Sequence, residues 1–234
     1  MQFAALRKRV VEAHHALVDA GLVVLTFGNA SEVDRDKEVI AIKPSGVPYD
    51  QLVPEAIVIV DLHTGAVANG GYRPSSDTPT HRVLYRKFAA IGAVVHTHSA
   101  AATAWSQARR DLPCFGTTHA DHFFGPVPTT RALNRDEVQH QYEERTGDVI
   151  VETLEVRGLD PVDMPAVLVA SHGPFTWGNE LEHAVQNAIA LETVASLALR
   201  TLVLEPAAAV VEGPLLERHF LRKHGSGAYY GQRR

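Results

Sequence analysis

The stretch Val94-Val95-His96-Thr97-His98-Ser99 is an apolar run that ends in two histidines one residue apart. Alternate residues of a β-strand point to the same face, so the run predicts a strand whose end projects His96 and His98 together. Two imidazoles placed in this way provide half of a tetrahedral zinc site. The alternative is that both are ordinary polar residues that close a strand, and the pair alone is compatible with either interpretation.

A third histidine favours the metal site. Val169-Ala170-Ser171-His172-Gly173-Pro174 repeats the pattern of an apolar strand followed by histidine and then by Gly-Pro. Catalytic zinc sites keep three protein ligands and one open position. His172 therefore completes a predicted ligand set with the first pair. Asp77 is a possible fourth ligand, although Ser75-Ser76-Asp77-Thr78-Pro79 is also a good helix start, in which Asp77 would act only as a cap.

Three short loops of small residues point to an anionic ligand. Such loops let backbone N–H groups and hydroxyls approach an anion closely, and a lysine beside one of them adds a positive charge. Each loop alone would be an ordinary turn, but the three together predict a site for a phosphate or a polyhydroxylated molecule. Their residues are Gly28, Asn29, Lys43, Ser45, Gly46, Ser75 and Ser76.

The composition is typical of a cytoplasmic protein. The formal net charge of −5 and the lack of a basic tract argue against a nucleic-acid surface. Cys114 is the only cysteine, which excludes an intrachain disulfide and indicates a reducing compartment. The N-terminal residues become charged too early for a signal peptide, and the apolar region 184–204 is interrupted by polar residues. We expect no contact with nucleic acid or membrane.

Hydrophobic periodicity predicts one domain over residues 1–234. Strands are predicted at Leu22–Phe27, Glu38–Ile42, Asp148–Thr153 and near Cys114, and helices at 78–90, at Arg135–Arg145 and from Asn179 to Leu202. Strands joined by hairpins alternate with helices. This order favours an α/β fold in which helices cover both faces of a mixed sheet.

The motifs together resemble the L-ribulose-5-phosphate 4-epimerase family of the class II aldolase/adducin-like superfamily. The resemblance covers nearly the whole chain. The segments that carry it are Leu25–Asn29, Ile42–Val47, Pro74–His81, His96–Ser99, Gly116–Asp121, Ser171–Phe175, Leu221–Gly225 and Tyr229–Gln232. So many motifs in the family's order and spacing make an accidental match unexpected.

The resemblance implies a single-domain α/β/α fold with a central, mainly antiparallel sheet flanked by helices. It implies one zinc ion per subunit held by His96, His98 and His172, with Asp77 as the carboxylate at the metal. Mn²⁺ or Co²⁺ is a possible replacement, because three imidazoles bind all of these ions. It also places the three small-residue loops at the substrate, largely at its phosphate.

The family's reaction is the interconversion of L-ribulose 5-phosphate and D-xylulose 5-phosphate by zinc-assisted retro-aldol and aldol steps at C3–C4. The resemblance assigns Asp121 and Tyr230 as the acid/base pair. It further implies a C4 homotetramer, in which a neighbouring subunit supplies these two residues to an active site at the subunit interface. A cytoplasmic enzyme of L-arabinose or L-ascorbate catabolism would then be expected.

Two rival functions remain open at this point. An aldolase that resembles L-fuculose-phosphate aldolase would use the same histidines, but such aldolases carry glutamate at the position of Asp77. A non-catalytic binding module like the adducin head would keep the fold and lack the metal-binding histidines. The shorter carboxylate favours the epimerase, and the three histidines argue against the binding module.

Overall fold

Seven strands form one sheet in the structure, which is a computed structural model that describes residues 2–229. The strands are β1 (Asn29–Asp34), β2 (Val39–Ile42), β3 (Val58–Asp61), β4 (Val67–Asn69), β5 (Ala93–His96), β6 (Ala166–Leu168) and β7 (Pro174–Gly178). Their order is β4-β3-β2-β1-β5-β7-β6, and every neighbouring pair is antiparallel. The mainly antiparallel sheet is thereby confirmed. The mixed sheet predicted from periodicity alone is not observed. Within residues 2–229 the parallel pairing is limited to an isolated bridge between Thr129 and Leu168, outside the named strands.

Eight helices surround this sheet in the described part of the chain. They are α1 (Ala4–Asp19), α2 (Thr78–Lys87), α3 (Ala100–Ala108), α4 (Thr117–Ala120), α5 (Arg135–Gln139), α6 (Tyr142–Arg157), α7 (Leu181–Leu204) and α8 (Gly213–His224). A short 3₁₀ helix, Tyr49–Gln51, follows β2.

Two hydrophobic cores lie on opposite faces of the sheet, because alternate strand residues point to opposite sides. In β2, Ile40 and Ile42 belong to one core, whereas Val39 and Ala41 belong to the other. Helices α2, α3 and α6 pack in the first core, and α1 packs in the second. The predicted covering of both faces by helices is therefore present, and it leaves β2 buried along its whole length.

Helix α7 contributes to both cores. Leu181 and Ala184 pack with α1, and Leu191 and Val194 pack on the opposite face of the sheet. Within residues 2–229 it is the one helix that is long and apolar enough to cross a membrane, by length and composition alone. Its buried side chains pack in the two hydrophobic cores.

The strand predicted at Leu22–Phe27 is wrong. Leu25 and Thr26 form a turn, the residues around them have no regular secondary structure, and Leu25 has a positive φ of 56° that an extended strand does not allow. Strand β1 begins only at Asn29, where its backbone pairs with β5. The strand predicted near Cys114 is also absent, and the chain there makes one isolated bridge between Leu112 and Val127.

The strand predicted at Asp148–Thr153 is wrong as well, because these residues lie inside α6. Val149, Ile150 and Leu154 recur at helical spacing and are buried, so packing against the core outweighs their β-propensity. The single helix predicted at Arg135–Arg145 is instead divided. Helix α5 ends at Gln139, and α6 begins at Tyr142 after Gln141, whose φ is 58°.

Candidate active site

Three histidines meet at the ends of neighbouring strands. His96 is the last residue of β5, and His98 follows two residues later. His172 lies in the turn between β6 and β7, and β7 pairs with β5 so that Phe175 is opposite His96. One ligand nitrogen from each histidine lies within 4.8 Å of the others. Antiparallel pairing therefore joins two sequence motifs that are far apart in the chain.

The turn that carries His172 is held from both sides. Val169 N–H donates to the carbonyl of Gly173 at 3.0 Å, which closes the turn. Ser171 has a positive φ of 62°, and its N–H donates to the carbonyl of Ser106 at the end of α3. Arg109 Nε also donates to Ser171 Oγ at 3.0 Å. A strained residue of this kind persists only where its surroundings hold it.

The ring nitrogens of the histidines have the arrangement expected of metal ligands. His96 Nδ1 lies 2.9 Å from the carbonyl of Pro174, which leaves its Nε2 to face His98 Nε2 at 3.1 Å. Burial lowers the pKa of His96 to about 3 and also lowers the pKa values of His98 and His172. The neutral imidazole is the form that binds a metal. The convergence of these lone pairs fits a divalent cation.

Asp77 lies beside these rings. It occupies the N-cap position of α2, but its carboxylate makes no capping hydrogen bond. Instead, Asp77 Oδ2 accepts from Asn29 Nδ2 at 2.7 Å and lies 3.9 Å from His96 Nε2. Burial opposes ionisation, but the electrostatic influence of the nearby imidazoles of His96 and His81 and the hydrogen bond from Asn29 outweigh it and lower the pKa of Asp77. The carboxylate is thus held next to the histidines and not used to cap the helix.

One cavity of about 400 Å³ contains these groups. All the predicted metal-ligating and substrate-binding residues line it, together with five further residues named below. Gly28 has a φ of 82°, and a Cβ there would lie 2.7 Å from the carbonyl oxygen of His96. This close approach requires glycine and brings the first small-residue loop against the strand end. The lining residues are Thr26, Phe27, Gly28, Asn29, Lys43, Pro44, Ser45, Gly46, Ser75, Ser76, Asp77, His96, His98, Tyr142, Glu143 and His172.

Lys43 supplies a positive charge to the cavity. Its side chain is 2% exposed, and its Nζ lies 3.4 Å from the carbonyl of Pro44 and 5.0 Å from the centre of the Tyr49 ring. Burial lowers its pKa. Since a buried ammonium is costly unless it is paired, an anionic ligand between Lys43 and the adjacent hydroxyls would stabilise this arrangement.

Five lining residues were not predicted as site residues. Pro44 lies between Lys43 and Ser45 in one of the small-residue loops. Thr26 and Phe27 were assigned to a strand, and Tyr142 and Glu143 were assigned to the interior of a helix. Tyr142 in fact begins α6, and its hydroxyl lies 3.4 Å from His172 Nδ1. The preceding residue, Gln141, has a left-handed backbone conformation and separates α5 from α6. The sequence has no glycine or proline at this position that would have predicted the break between the helices.

Asp121 lies apart from the cavity. It follows α4, and its carboxylate accepts from Arg222 and His219 of α8. Burial tends to raise the pKa of Asp121, but these hydrogen bonds outweigh it and hold the pKa below its usual range. Tyr230, the other predicted acid/base, lies outside the described residues. Of the predicted acid/base pair, the structure therefore describes only Asp121, which does not line the histidine cavity of its own chain.

The sequence matches the profile of one protein family, the Class II Aldolase and Adducin N-terminal domain, over residues 8–199. This match covers both motifs that contain the three histidines and all three small-residue loops. The chain belongs to the class II aldolase and adducin family.

Relatives in this family support the assignment. The chain is 48% identical over 228 residues to L-ribulose-5-phosphate 4-epimerase UlaF of Salmonella paratyphi C (strain RKS4594), covering 97% of this chain and 99% of that protein. The corresponding protein of Salmonella paratyphi B is 47% identical over the same length. Among solved structures, an L-fuculose 1-phosphate aldolase aligns with a TM-score of 0.78 and 23% identity, over 92% of this chain and 94% of that one. The L-fuculose-1-phosphate aldolase of Thermus thermophilus aligns with a TM-score of 0.68 and 23% identity, over 89% and 100%.

The solved structures establish that this class II aldolase chain has the family's α/β fold. Enzymes of the family depend on a metal, and the histidine cluster of this chain can hold one. The predictions of the fold and of the family are thereby confirmed. The roles of the individual cavity residues remain predictions.

Proposed function

We propose that the chain is an L-ribulose-5-phosphate 4-epimerase, which interconverts L-ribulose 5-phosphate and D-xylulose 5-phosphate. The observation that carries the proposal is the cavity, in which three converging histidines and Asp77 lie beside Lys43 and three loops of small residues. It offers a place for a metal and a place for a phosphate in the same cavity. Near-complete alignment at 48% identity with proteins named as this epimerase supports the same substrate.

The metal would be held by His96, His98 and His172, with Asp77 at its side. When bound, zinc supplies a Lewis acid that stabilises negative charge on the carbonyl side of the sugar. Neutral imidazoles also accept Mn²⁺ and Co²⁺, so zinc is the first of three candidates. Within the protein, Pro174 fixes the ring of His96 through Nδ1, and Asn29 fixes Asp77.

The small-residue loops would hold the phosphate. Lys43 Nζ is already buried in the cavity, and the hydroxyls of Ser45 and Ser75 lie on loops that are joined by backbone bonds, since Ser75 N–H donates to the carbonyl of Lys43 at 2.9 Å. A phosphate anchored there remains bound when the C3–C4 bond breaks. The glycolaldehyde phosphate fragment can then rotate about this anchor and present its other face for re-formation of the bond.

Acid/base chemistry at the C4 hydroxyl would come from Asp121 and Tyr230. Cleavage removes the hydroxyl proton as C4 becomes a carbonyl, and re-formation of the bond returns a proton to that oxygen on the opposite face. Because Asp121 is paired with α8 and not with the cavity of its own chain, we propose that a neighbouring copy supplies both residues. A C4 homotetramer with active sites at subunit interfaces satisfies this requirement.

We also propose that residues 1–234 form one domain that works in the cytoplasm. Cys114 is buried and is the only cysteine of the chain, which suits a reducing compartment.

Several apolar residues of α7 are exposed in the single chain, among them Leu197, Val203 and Leu204. Their exposure supports burial between subunits.

The test is incubation of the purified protein with L-ribulose 5-phosphate. We expect D-xylulose 5-phosphate to form until the two ketoses reach equilibrium. His98→Asn should lose both bound metal and activity, whereas His15→Asn on the exposed side of α1 should keep both. Accumulation of dihydroxyacetone and glycolaldehyde phosphate would instead identify an aldolase. Full activity without bound metal would contradict the proposed role of the histidines.

A further inference from the structure

Tyr142 is a cavity residue to which the proposed reaction assigns no role. It is half-buried at the first position of α6, and its ring lies 6.2 Å from the ring of His172. Its hydroxyl is 3.4 Å from His172 Nδ1. Within residues 2–229 this is the one hydrogen bond that the imidazole of His172 makes.

His96 and His172 differ in the contacts that fix the orientation of their rings. The ring of His96 is fully buried, stacks on Phe175 at 4.2 Å and is fixed through Nδ1 by the carbonyl of Pro174. His172 is less buried, lies in a turn and has no such carbonyl at its Nδ1. Metal-ligating histidines generally use their second ring nitrogen to bond a protein group that fixes the tautomer and the ring orientation. A phenol oxygen can accept that N–H.

The position of Tyr142 is fixed by the packing of α6 on α2. Thr80 Oγ1, on α2, donates to the carbonyl of Glu143 at 2.5 Å, and Thr146 Oγ1 donates to the carbonyl of Tyr142 at 2.9 Å. The backbone at the start of α6 is therefore tied to the helix that begins directly after Asp77. The hydroxyl of Tyr142 is aimed by rigid elements and not by a loop, as precise positioning requires.

We propose that Tyr142 is a positioning residue for His172, accepting the Nδ1 proton so that the Nε2 lone pair faces the metal. The inference rests on the proposed function, because it assumes that the three histidines bind a metal. Loss of the hydroxyl frees the ring of His172 to rotate and to change tautomer. The result is weaker metal binding with no loss of fold.

Tyr142→Phe separates this role from packing, since it removes only the oxygen. Zinc-loaded protein is challenged with a chromogenic chelator, and the zinc retained at equilibrium is measured. We expect Tyr142→Phe to lose about tenfold in zinc affinity, near the lower end of the effect of such supporting bonds. Its metal-free form should unfold at the same temperature as metal-free wild type. Tyr72→Phe, at an exposed tyrosine, serves as the matched control and should bind zinc as wild type does.

A second comparison tests whether Tyr142 acts through His172. In a His172→Ala background, adding Tyr142→Phe should cause no further loss of zinc affinity, because the partner of the hydroxyl is gone. An equal loss in both backgrounds would overturn the inference, as would unchanged affinity of the single variant. If wild type itself binds none of Zn²⁺, Mn²⁺ and Co²⁺, the proposed function fails. If wild type binds zinc and Tyr142→Phe binds it equally well, only the role of Tyr142 fails.

Discussion

His14 is a buried histidine that has no place in the cavity. It lies on α1, where its Nδ1 is 2.6 Å from the carbonyl of Val10 and its Nε2 accepts the N–H of Ala30 at 2.9 Å. Both ring nitrogens are therefore used by the neutral tautomer with hydrogen on Nδ1. Burial lowers the pKa of His14 to about 3. A proton on Nε2 would also break the bond that joins α1 to β1.

This environment predicts acid destabilisation with a definite sign. The unfolded chain takes up a proton at His14 below its ordinary pKa of about 6.5, whereas the folded chain does not until about 3, so stability falls as pH falls through this interval. The contribution between pH 8 and pH 5 is about 2 kcal/mol. His14→Gln, which can keep both hydrogen bonds without titrating, should reduce the pH dependence of the unfolding free energy by that amount.

Urea unfolding of the metal-free proteins at a series of pH values measures this effect. His15→Gln, at the exposed neighbouring position, should leave the pH dependence as in wild type. If His14→Gln loses stability with acid as steeply as wild type does, His14 does not contribute to the acid destabilisation.

The histidines of the cavity could be predicted from the sequence because the signal is local. His96 and His98 are related by strand geometry, and a Gly-Pro turn marks His172. The position of Tyr142 could not be predicted in this way. Its approach to His172 depends on contact between α2 and α6, for which Thr80 and the Glu143 carbonyl are 63 residues apart in the chain. The pattern of apolar residues in the sequence does not predict how closely these two helices approach each other.

At the scale of secondary-structure elements, the close packing of α2 and α6 positions one side of the cavity. Gly147 on α6 faces Val83 on α2, and a Cβ at Gly147 would lie 2.6 Å from Val83 Cβ. The glycine is needed for this approach, although glycine within a helix costs about 1 kcal/mol relative to alanine. The packing holds Asp77, before α2, near Tyr142, at the start of α6.

Gly147→Ala should therefore push the two helices apart. We expect a loss of stability of about 1–3 kcal/mol, as for other overpacked sites, together with weaker zinc binding. Adding Val83→Ala should restore part of both, because it removes the two Cγ atoms that lie 3.0 Å from the new methyl group, although the contact with the Val83 Cβ remains. Thermal unfolding and chelator competition on the single and double variants measure the two effects. A double variant that is less stable than Gly147→Ala would show that the clash is not the cause.

The sequence predicted secondary-structure elements well where the pattern of apolar residues was clear. It predicted them poorly where the intrinsic preference of the residues for strand differed from the conformation that tertiary packing requires. Strand β2 was found at its observed position within one residue, since Val39–Ile42 is uniformly apolar and flanked by polar residues. Leu22–Phe27, which is rich in Val and Leu, and Asp148–Thr153 were both assigned to strands. The first is excluded from the sheet by its backbone turns, and the second is buried at helical spacing in α6.

At the scale of the whole molecule, the proposed catalytic groups form two separate clusters on one chain. The first is the histidine cavity with Asp77, and the second is Asp121 with α8. The family resemblance implied both sets and their supply by neighbouring subunits. The residue pattern alone could not predict this separation, because relative placement depends on tertiary packing and on contacts between copies. If each active site joins the first cluster of one subunit to the second cluster of its neighbour, a single subunit cannot form a complete site.

Hybrid oligomers test this arrangement. His98→Asn inactivates the first cluster and Asp121→Asn inactivates the second, so either variant alone should have very low activity. Co-expression of the two should restore about a quarter of wild-type activity, because random placement in a ring puts an intact first cluster against an intact second cluster at about one site in four.

The matched control is His98→Asn mixed with Asp77→Asn, which damages the first cluster in every subunit and should restore none. Epimerase assays on hybrids purified through two different affinity tags, with oligomer size measured by light scattering, give the result. Equal activity of the test and control mixtures would exclude sites shared between subunits and place the acid/base groups within one chain.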